Sequence, residues 1–167
     1  MRCAKKQMSP SRISILVAVC VSLCCFRLHG QTTKWSRIAG QYRNVDYGFE
    51  VTIPKGLVGL GTRPPNPNHG FVIDLATGTK VWVDATYANP DEPYEFSNHD
   101  ARLGSLKAEL RIWQDKSPGA EAIHETVVAA DRGILYTIGL DSEPARKREA
   151  VRVLDSLVNS FHTIPIR

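Results

Sequence analysis

Apolar positions recur along this chain with two periods. Phe49-Glu50-Val51-Thr52-Ile53 alternates apolar and polar residues, the pattern of a strand with one buried face. The turn residues Asn44-Val45-Asp46-Tyr47-Gly48 precede it, and Pro54-Lys55-Gly56 ends it. Phe71-Val72-Ile73-Asp74-Leu75 and Lys80–Tyr87 are β-rich runs separated by Thr77-Gly78-Thr79, which predicts an antiparallel hairpin. Ala122–Ala129 and Ile134–Leu140 form a second such pair around the turn Asp131-Arg132-Gly133.

Helical spacing occurs twice. Leu103, Leu106, Leu110 and Trp113 follow Ser97-Asn98-His99-Asp100, with Ser97 at the N-cap position and Asp100 reaching back to it. This predicts a helix that ends at Lys116-Ser117-Pro118-Gly119. Ala150, Leu154, Leu157, Val158 and Phe161 make the apolar stripe of a last helix. Ser142-Glu143-Pro144 opens it, since proline is tolerated in a first turn. Arg146, Lys147, Arg148 and Arg152 fall mostly on its other side. Trp35, Trp82, Trp113 and Tyr87 are candidates for stacking on a ligand, but the periodic positions of Trp82 and Trp113 place both in the core.

The order strand, hairpin, helix, hairpin, helix disfavours a doubly wound parallel sheet. It predicts one α+β domain over residues 42–162, an antiparallel β-sheet flanked by helices in an α-β-α sandwich. Residues 31–41 read as a flexible N-terminal segment from which Trp35 and Ile38 can dock, and residues 163–167 as a tail. Leu57 to Gly70 is rich in Gly, Pro and Asn and reads as a long surface loop.

The strand Tyr47-Gly48-Phe49-Glu50-Val51-Thr52-Ile53-Pro54, together with Ile134–Ile138 and a closing helix that ends Val158-Asn159-Ser160-Phe161, resembles the PsbP-like family. That family is named for an extrinsic subunit of the photosynthetic oxygen-evolving complex. The resemblance covers most of residues 42–162. It implies an α-β-α sandwich around an antiparallel sheet, and an exported accessory or binding role rather than catalysis. It carries over no functional residue.

Composition supports a globular domain. With 43% hydrophobic and 23% charged residues in 167, the chain is neither collagen, coiled-coil rod, polytopic membrane protein nor disordered polymer. The first thirty residues stand apart. Arg2, Lys5, Lys6 and Arg12 form a basic head, the apolar run Ile13–Phe26 follows, and Gly30 precedes a polar stretch. Spanning a bilayer takes roughly 17–25 residues, more than this run has. The arrangement is that of a secretory signal peptide cleaved near Gly30, which predicts a secreted or periplasmic protein. Val19, Leu23 and Cys24 stand where bacterial lipidation wants a small residue, so Cys20, Cys24 and Cys25 read as apolar filler.

Charge and cysteine content change once residues 1–30 are set aside. Residues 31–167 carry 16 basic and 17 acidic side chains, a net charge near −1 in place of +4. No excess of cations remains to neutralise nucleic-acid phosphates. All four cysteines lie in residues 1–30, so the domain has no disulfide, thiol nucleophile or cysteine zinc site.

The remaining chemistry is sparse. His69, His99, His124 and His162 include no closely spaced pair of the kind zinc sites use. Glu95, His99 and Asp100 read as a solvated helix N-terminus. No Gly-x-Ser-x-Gly elbow occurs, and Gly104-Ser105 falls inside the expected helix. Gly59-Leu60-Gly61 lacks the third glycine of a dinucleotide loop. Asp74 and Asp84, on neighbouring strands, are the one carboxylate pair that hydrolytic chemistry could use. The reading that results is an exported, non-catalytic binding or accessory module without a cofactor. Its partner is an envelope protein or a small ligand, met through the 57–70 loop, the neighbouring 88–99 segment, or both. Arg63, Asn66, Asn68, His69 and His99 are the candidate contact residues. A secreted hydrolase using an Asp/Glu pair is the alternative, and a membrane-tethered form, in contact with the membrane only through residues 1–30 left uncleaved, is a third.

Overall fold

Backbone alternation governs nearly the whole domain. The computed structural model describes residues 35–61, 69–91, 94–117 and 120–166. In chain order the strands are β1 (Ser36–Ile38), β2 (Gln41–Asn44), β3 (Phe49–Thr52), β4 (Gly59–Gly61), β5 (Phe71–Ala76), β6 (Thr79–Tyr87), β7 (Ala101–Leu103), β8 (Leu106–Ser117), β9 (Ala120–Asp131) and β10 (Ile134–Ser142). A 3-10 turn at Pro144–Arg146, helix α1 (Lys147–Ser160) and β11 (His162–Thr163) complete the chain. An eight-stranded sheet has the order β1-β4-β5-β6-β10-β9-β8-β7, and a three-stranded sheet the order β11-β3-β2; every pairing is antiparallel.

The core lies between the sheets and α1. Val81, Val83 and Ala85 of β6 and Ile134, Tyr136, Ile138 and Leu140 of β10 point one way, and all are buried. Ala150, Val153, Leu154 and Leu157 of α1 are buried with them, and α1 packs on β10, β6 and β3. Phe49 stacks on Phe161 at 5.6 Å, which ties the small sheet to the end of the helix. Each of the fully buried valine, leucine, isoleucine and phenylalanine side chains contributes about 1.5–3 kcal/mol. Asn44 shapes the entry to β3: its Oδ1 accepts the amides of Asp46 and Tyr47, both at 3.1 Å, in an Asx turn. Tyr136 donates its hydroxyl hydrogen to the Tyr47 carbonyl at 2.9 Å.

Both hairpins read from the sequence are present, as is the last helix with its stripe. The helix expected over Ser97–Trp113 is not. Residues 101–117 form the β7–β8 hairpin, with Leu103 opposite Leu106 and the two residues Gly104-Ser105 as its turn. Gly104 adopts φ +56°, a left-handed conformation suited to such a turn. The leucines satisfy both periods in part, but Leu106, Ala108, Leu110 and Ile112 also alternate, and a free strand edge of β9 was available to pair with them. Ser97 caps no helix; its hydroxyl donates to Glu109.

The expected α-β-α sandwich is therefore overturned. The described residues form a mostly β protein with α1 as its one α-helix. The tryptophans move with this correction. Trp113 is 47% exposed, and Trp82 is half-buried on the face of the large sheet opposite the core. Trp35 is exposed beside β1, and Ile38 within β1 packs on the core. Among the described residues no helix is long and apolar enough to cross a membrane.

Candidate functional site

Strand register builds the outer face of the large sheet into transverse rows. One row runs Leu60, Val72, Trp82, Gly139, Thr126, as each residue faces the next across β4, β5, β6, β10 and β9. Glycine at 139 is required by this row. A Cβ there would lie 2.5 Å from Trp82 Cζ2, so the missing side chain is what lets the indole lie across β10. A parallel row, two residues along, runs Asp74, Lys80, Asp141, His124, Trp113.

The apolar row ends in a cleft of about 350 Å³ lined by Trp35, Leu60, Phe71, Trp82, His69 and Asp84, among others. Trp35 and Leu60 come from the β1–β4 side, and Trp82 and Asp84 from alternate positions of β6. Gly70 also borders the cleft. A Cβ there would meet the Val83 carbonyl oxygen at 1.9 Å, so this chain segment presses directly on the backbone of β6.

The polar end of the cleft is held by β6. The Ala85 amide donates to the His69 carbonyl at 2.9 Å, and His69 Nδ1 lies 2.9 Å from the Ala85 carbonyl. Since a carbonyl can only accept, Nδ1 carries the proton, and in the neutral ring Nε2 holds the lone pair. The Tyr47 hydroxyl lies 3.1 Å from the same Nδ1, and the Tyr47 ring sits 5.1 Å from both the His69 and Tyr87 rings. Asp84 is half-buried. Burial pushes its carboxyl above the ordinary value, against the opposing pull of His69 and the Ala85 backbone. Burial also raises the Tyr47 hydroxyl, followed by Tyr87, Asp84 and Asp46. The cleft thus offers flat apolar walls and one acceptor-rich end.

The second row is a charge ladder. Lys80 Nζ lies 3.1 Å from Asp141, and Asp141 lies 2.6 Å from His124 Nδ1. His124 Nε2 faces Asp115 at 3.3 Å, and the Trp113 ring stacks on the imidazole at 5.1 Å. The hydrogen bond to Asp141 is the main cause that raises the His124 pKa, with Asp115 adding to it. With both ring nitrogens facing carboxylates, the ladder favours the doubly protonated, cationic form of this histidine.

A third polar cluster lies where the 94–99 segment meets β8. Glu109 is 1% exposed, yet it is fully bonded: Ser97, Tyr94 and Arg111 all donate to it. Arg111 lies over the Tyr94 ring at 4.8 Å. The hydrogen bonds from Arg111 and then Ser97 hold the Glu109 carboxyl down at about 2, against the effect of burial.

Of the candidate contact residues, His69 lines the cleft. His99 is exposed, its ring 5.0 Å from Phe96, and takes no part in the cleft lining. Arg63, Asn66 and Asn68 lie outside the described residues. The carboxylates weighed for hydrolysis are separated. Asp74 faces Lys80, and Asp84 stands four residues further along β6, about 13 Å at the usual rise per residue. Glycosidase carboxylates stand about 5–9.5 Å apart. Among the described residues no group of three or more His, Cys, Asp or Glu is placed to hold a metal ion. The stacking surfaces read at Trp35 and Trp82 meet in this cleft, whereas the charge ladder escaped the sequence reading. Alternation marks which residues share a face, but not which residues of other strands stand beside them.

No protein-family model matches the sequence, and no curated protein matches it. Among solved structures the chain is similar to the solution structure of cyanobacterial PsbP (CyanoP) from Synechocystis sp. PCC 6803. Identity is 19% over 80% of this chain and 96% of that one, with a TM-score of 0.41. It is also similar to a crystal structure from Bacteroides thetaiotaomicron VPI-5482, at 7% identity over 75% of this chain and 48% of that one, with a TM-score of 0.45. The first bears the family name that the sequence resemblance supplied.

Proposed function

We propose that the protein is an exported, non-catalytic binding module whose cleft takes a small ligand with a flat ring and a cationic or hydrogen-bond-donating end. The observation that carries this reading is the pairing of Trp35 and Trp82 with Asp84 and His69 around one cleft of about 350 Å³. Ligand pockets commonly have this make-up, mostly apolar walls with a few convergent polar groups, and volumes of roughly 300–1,000 Å³. The indole walls supply stacking area, and a ring lying on them with a cation toward Asp84 would be held at both ends. Export is supported by the basic head and short apolar run of residues 1–30.

Saturation-transfer NMR with two probes tests the cleft. Tryptamine carries an ammonium on an indole ring; indole-3-acetate carries a carboxylate on the same ring. Tryptamine should bind the protein and indole-3-acetate should not. Trp82→Ala and Asp84→Asn should each weaken tryptamine binding at least about tenfold, while Trp113→Ala leaves it unchanged. Equal binding of both probes, or tryptamine binding indifferent to Trp82→Ala, overturns the reading. Export is checked by the mass of the protein recovered outside the cytoplasm, which should begin at Gln31.

A further inference from the structure

The β8 strand has an open side. β7 pairs with it only at Leu106, Lys107 and Ala108, and among the described residues no strand pairs with that edge from Glu109 to Ser117. The 94–97 segment meets this stretch through the side chains of Glu109 and Arg111. Open edges are templates for further strand pairing. This one is also apolar at its middle, where Ile112 is 56% exposed and Trp113 47% exposed.

The free stretch has a symmetry that selects its occupant. Its midpoint is Trp113. Laid antiparallel against a second copy about a two-fold axis at that residue, the exposed stretch Arg111–Asp115 pairs on both sides of the axis, roughly 17 Å of strand. In that register Arg111 of each copy stands directly opposite Asp115 of the other, on the same face of the sheet. Two opposite-charge pairs would then add to the contacts Arg111 makes with Glu109 and Asp115 with His124, and no like charges are opposed at these positions. The two Trp113 side chains meet at the axis. Each is already backed by its own His124, so the outer-face row Asp74, Lys80, Asp141, His124, Trp113 would run on into its symmetry mate. A self-complementary patch of this kind is what an isologous two-fold interface requires.

We infer that the protein forms a symmetric dimer by antiparallel pairing of its β8 edges, with Trp113 on the axis and Arg111–Asp115 pairs on either side. The inference stands apart from the cleft, which lies across the sheet on β4–β6.

The test uses the protein produced in cells from the full-length chain. A photo-cross-linking benzoylphenylalanine replaces Trp113 in one variant and exposed Arg43 of β2 in another. Irradiation should give a band at twice the monomer mass for the probe at 113 and none for the probe at 43. Sedimentation of the purified protein should show a dimer. Asp115→Arg sets Arg111 against a second arginine in both pairs and should weaken the dimer at least about tenfold, with an unchanged circular dichroism spectrum. If Asp115→Arg alters the spectrum, Ile112→Lys provides the same reading from the other face of β8. A monomer at every concentration overturns the inference. So does a dimer that is indifferent to these folded variants, or one that the probe at 113 fails to capture.

Discussion

Gly104→Ala should cost far more than a glycine substitution at a turn normally does. Gly104 sits in the β7–β8 turn with φ +56°, and moving an L-residue there costs about 1–2 kcal/mol in any setting. A second cost is specific to this fold. The turn docks on the end of α1: the Gly104 amide donates to the Val158 carbonyl at 3.0 Å, satisfying one of the acceptors that a helix leaves free at its C-terminus. An added Cβ would stand 1.9 Å from the Phe161 carbonyl oxygen. Both atoms belong to the backbone frame, so no rotamer relieves the clash, and the turn or the helix end must move. The hydrogen bond lost in doing so is worth about 0.5–1.5 kcal/mol. Leu103, fully buried next door, loses packing as well. The sum is about 3 kcal/mol or more, a large part of the roughly 5–15 kcal/mol that holds a domain of this size. Gly40→Ala is the internal control. Gly40 has φ +70° but nothing within 4 Å of its would-be Cβ, so only the conformational cost of about 1–2 kcal/mol applies. Urea unfolding followed by circular dichroism gives both values. Equal losses for the two variants would refute the docking of this hairpin on α1, and with it the strand reading of residues 101–117.

Two further predictions concern buried polar groups. The Glu109 carboxyl is held at about 2, below its ordinary 4.5, so its ionised form stabilises the fold above about pH 4.5 and that contribution is lost as pH falls toward 2. Thermal melts should therefore show Glu109→Gln less stable than the parent at pH 6, with the gap closing between pH 4.5 and 2; a constant gap sinks the assignment. Thr79 is 1% exposed, and among the described residues its hydroxyl has no hydrogen-bond partner. Thr79→Val removes that unmet group at constant shape and should leave stability unchanged or raise it by up to about 1–3 kcal/mol in chemical denaturation; a clear loss would reveal a partner.

The strands with one dominant signal were legible in the sequence. Phe49–Thr52 alternates cleanly, Phe71–Ala76, Thr79–Tyr87 and Ile134–Ser142 are β-rich runs between turn residues, and the stripe of α1, with Pro144 in the 3-10 turn before it, admits no second reading. The 97–113 segment was not legible because its leucines fit both periods. The choice between them was made by the chain elsewhere: β9 offers an open ladder of hydrogen-bond groups, and α1 offers Val158 to the turn. Gly104, a poor helix residue by about 1 kcal/mol, was the local signal that pointed to a turn. Trp113 followed the same error into the core, since a helix would have buried it and a strand edge exposes it. Within the site, His69 stood out in sequence as the end of a proline-rich loop. Its fixed tautomer, its contact with Ala85 and its neighbour Asp84 depend on a register no sequence period states.

That register is what makes the outer face a site at all. Lys80, Trp82 and Asp84 alternate on β6, as do Gly139 and Asp141 on β10, and the same alternation would hold in any pairing. The turn at Arg132-Gly133 fixes which residues meet. With φ +50° and +75°, it is a two-residue hairpin connection of the kind that matches strand twist, and it sets Ile134 opposite Asp131. From there Asp141 falls beside His124, and through β6 Gly139 falls beside Trp82. A one-residue slip of β10 would turn Asp141 inward and put Leu140 outside, which the core does not tolerate. A slip of two would keep the faces but bring a side chain under the Trp82 indole and part Asp141 from both Lys80 and His124. The single residue without a side chain on the outer face of β10 therefore serves the cleft and the ladder together. It admits the indole in one row, and by doing so it permits the β6–β10 register that joins Asp141 to Lys80 in the next.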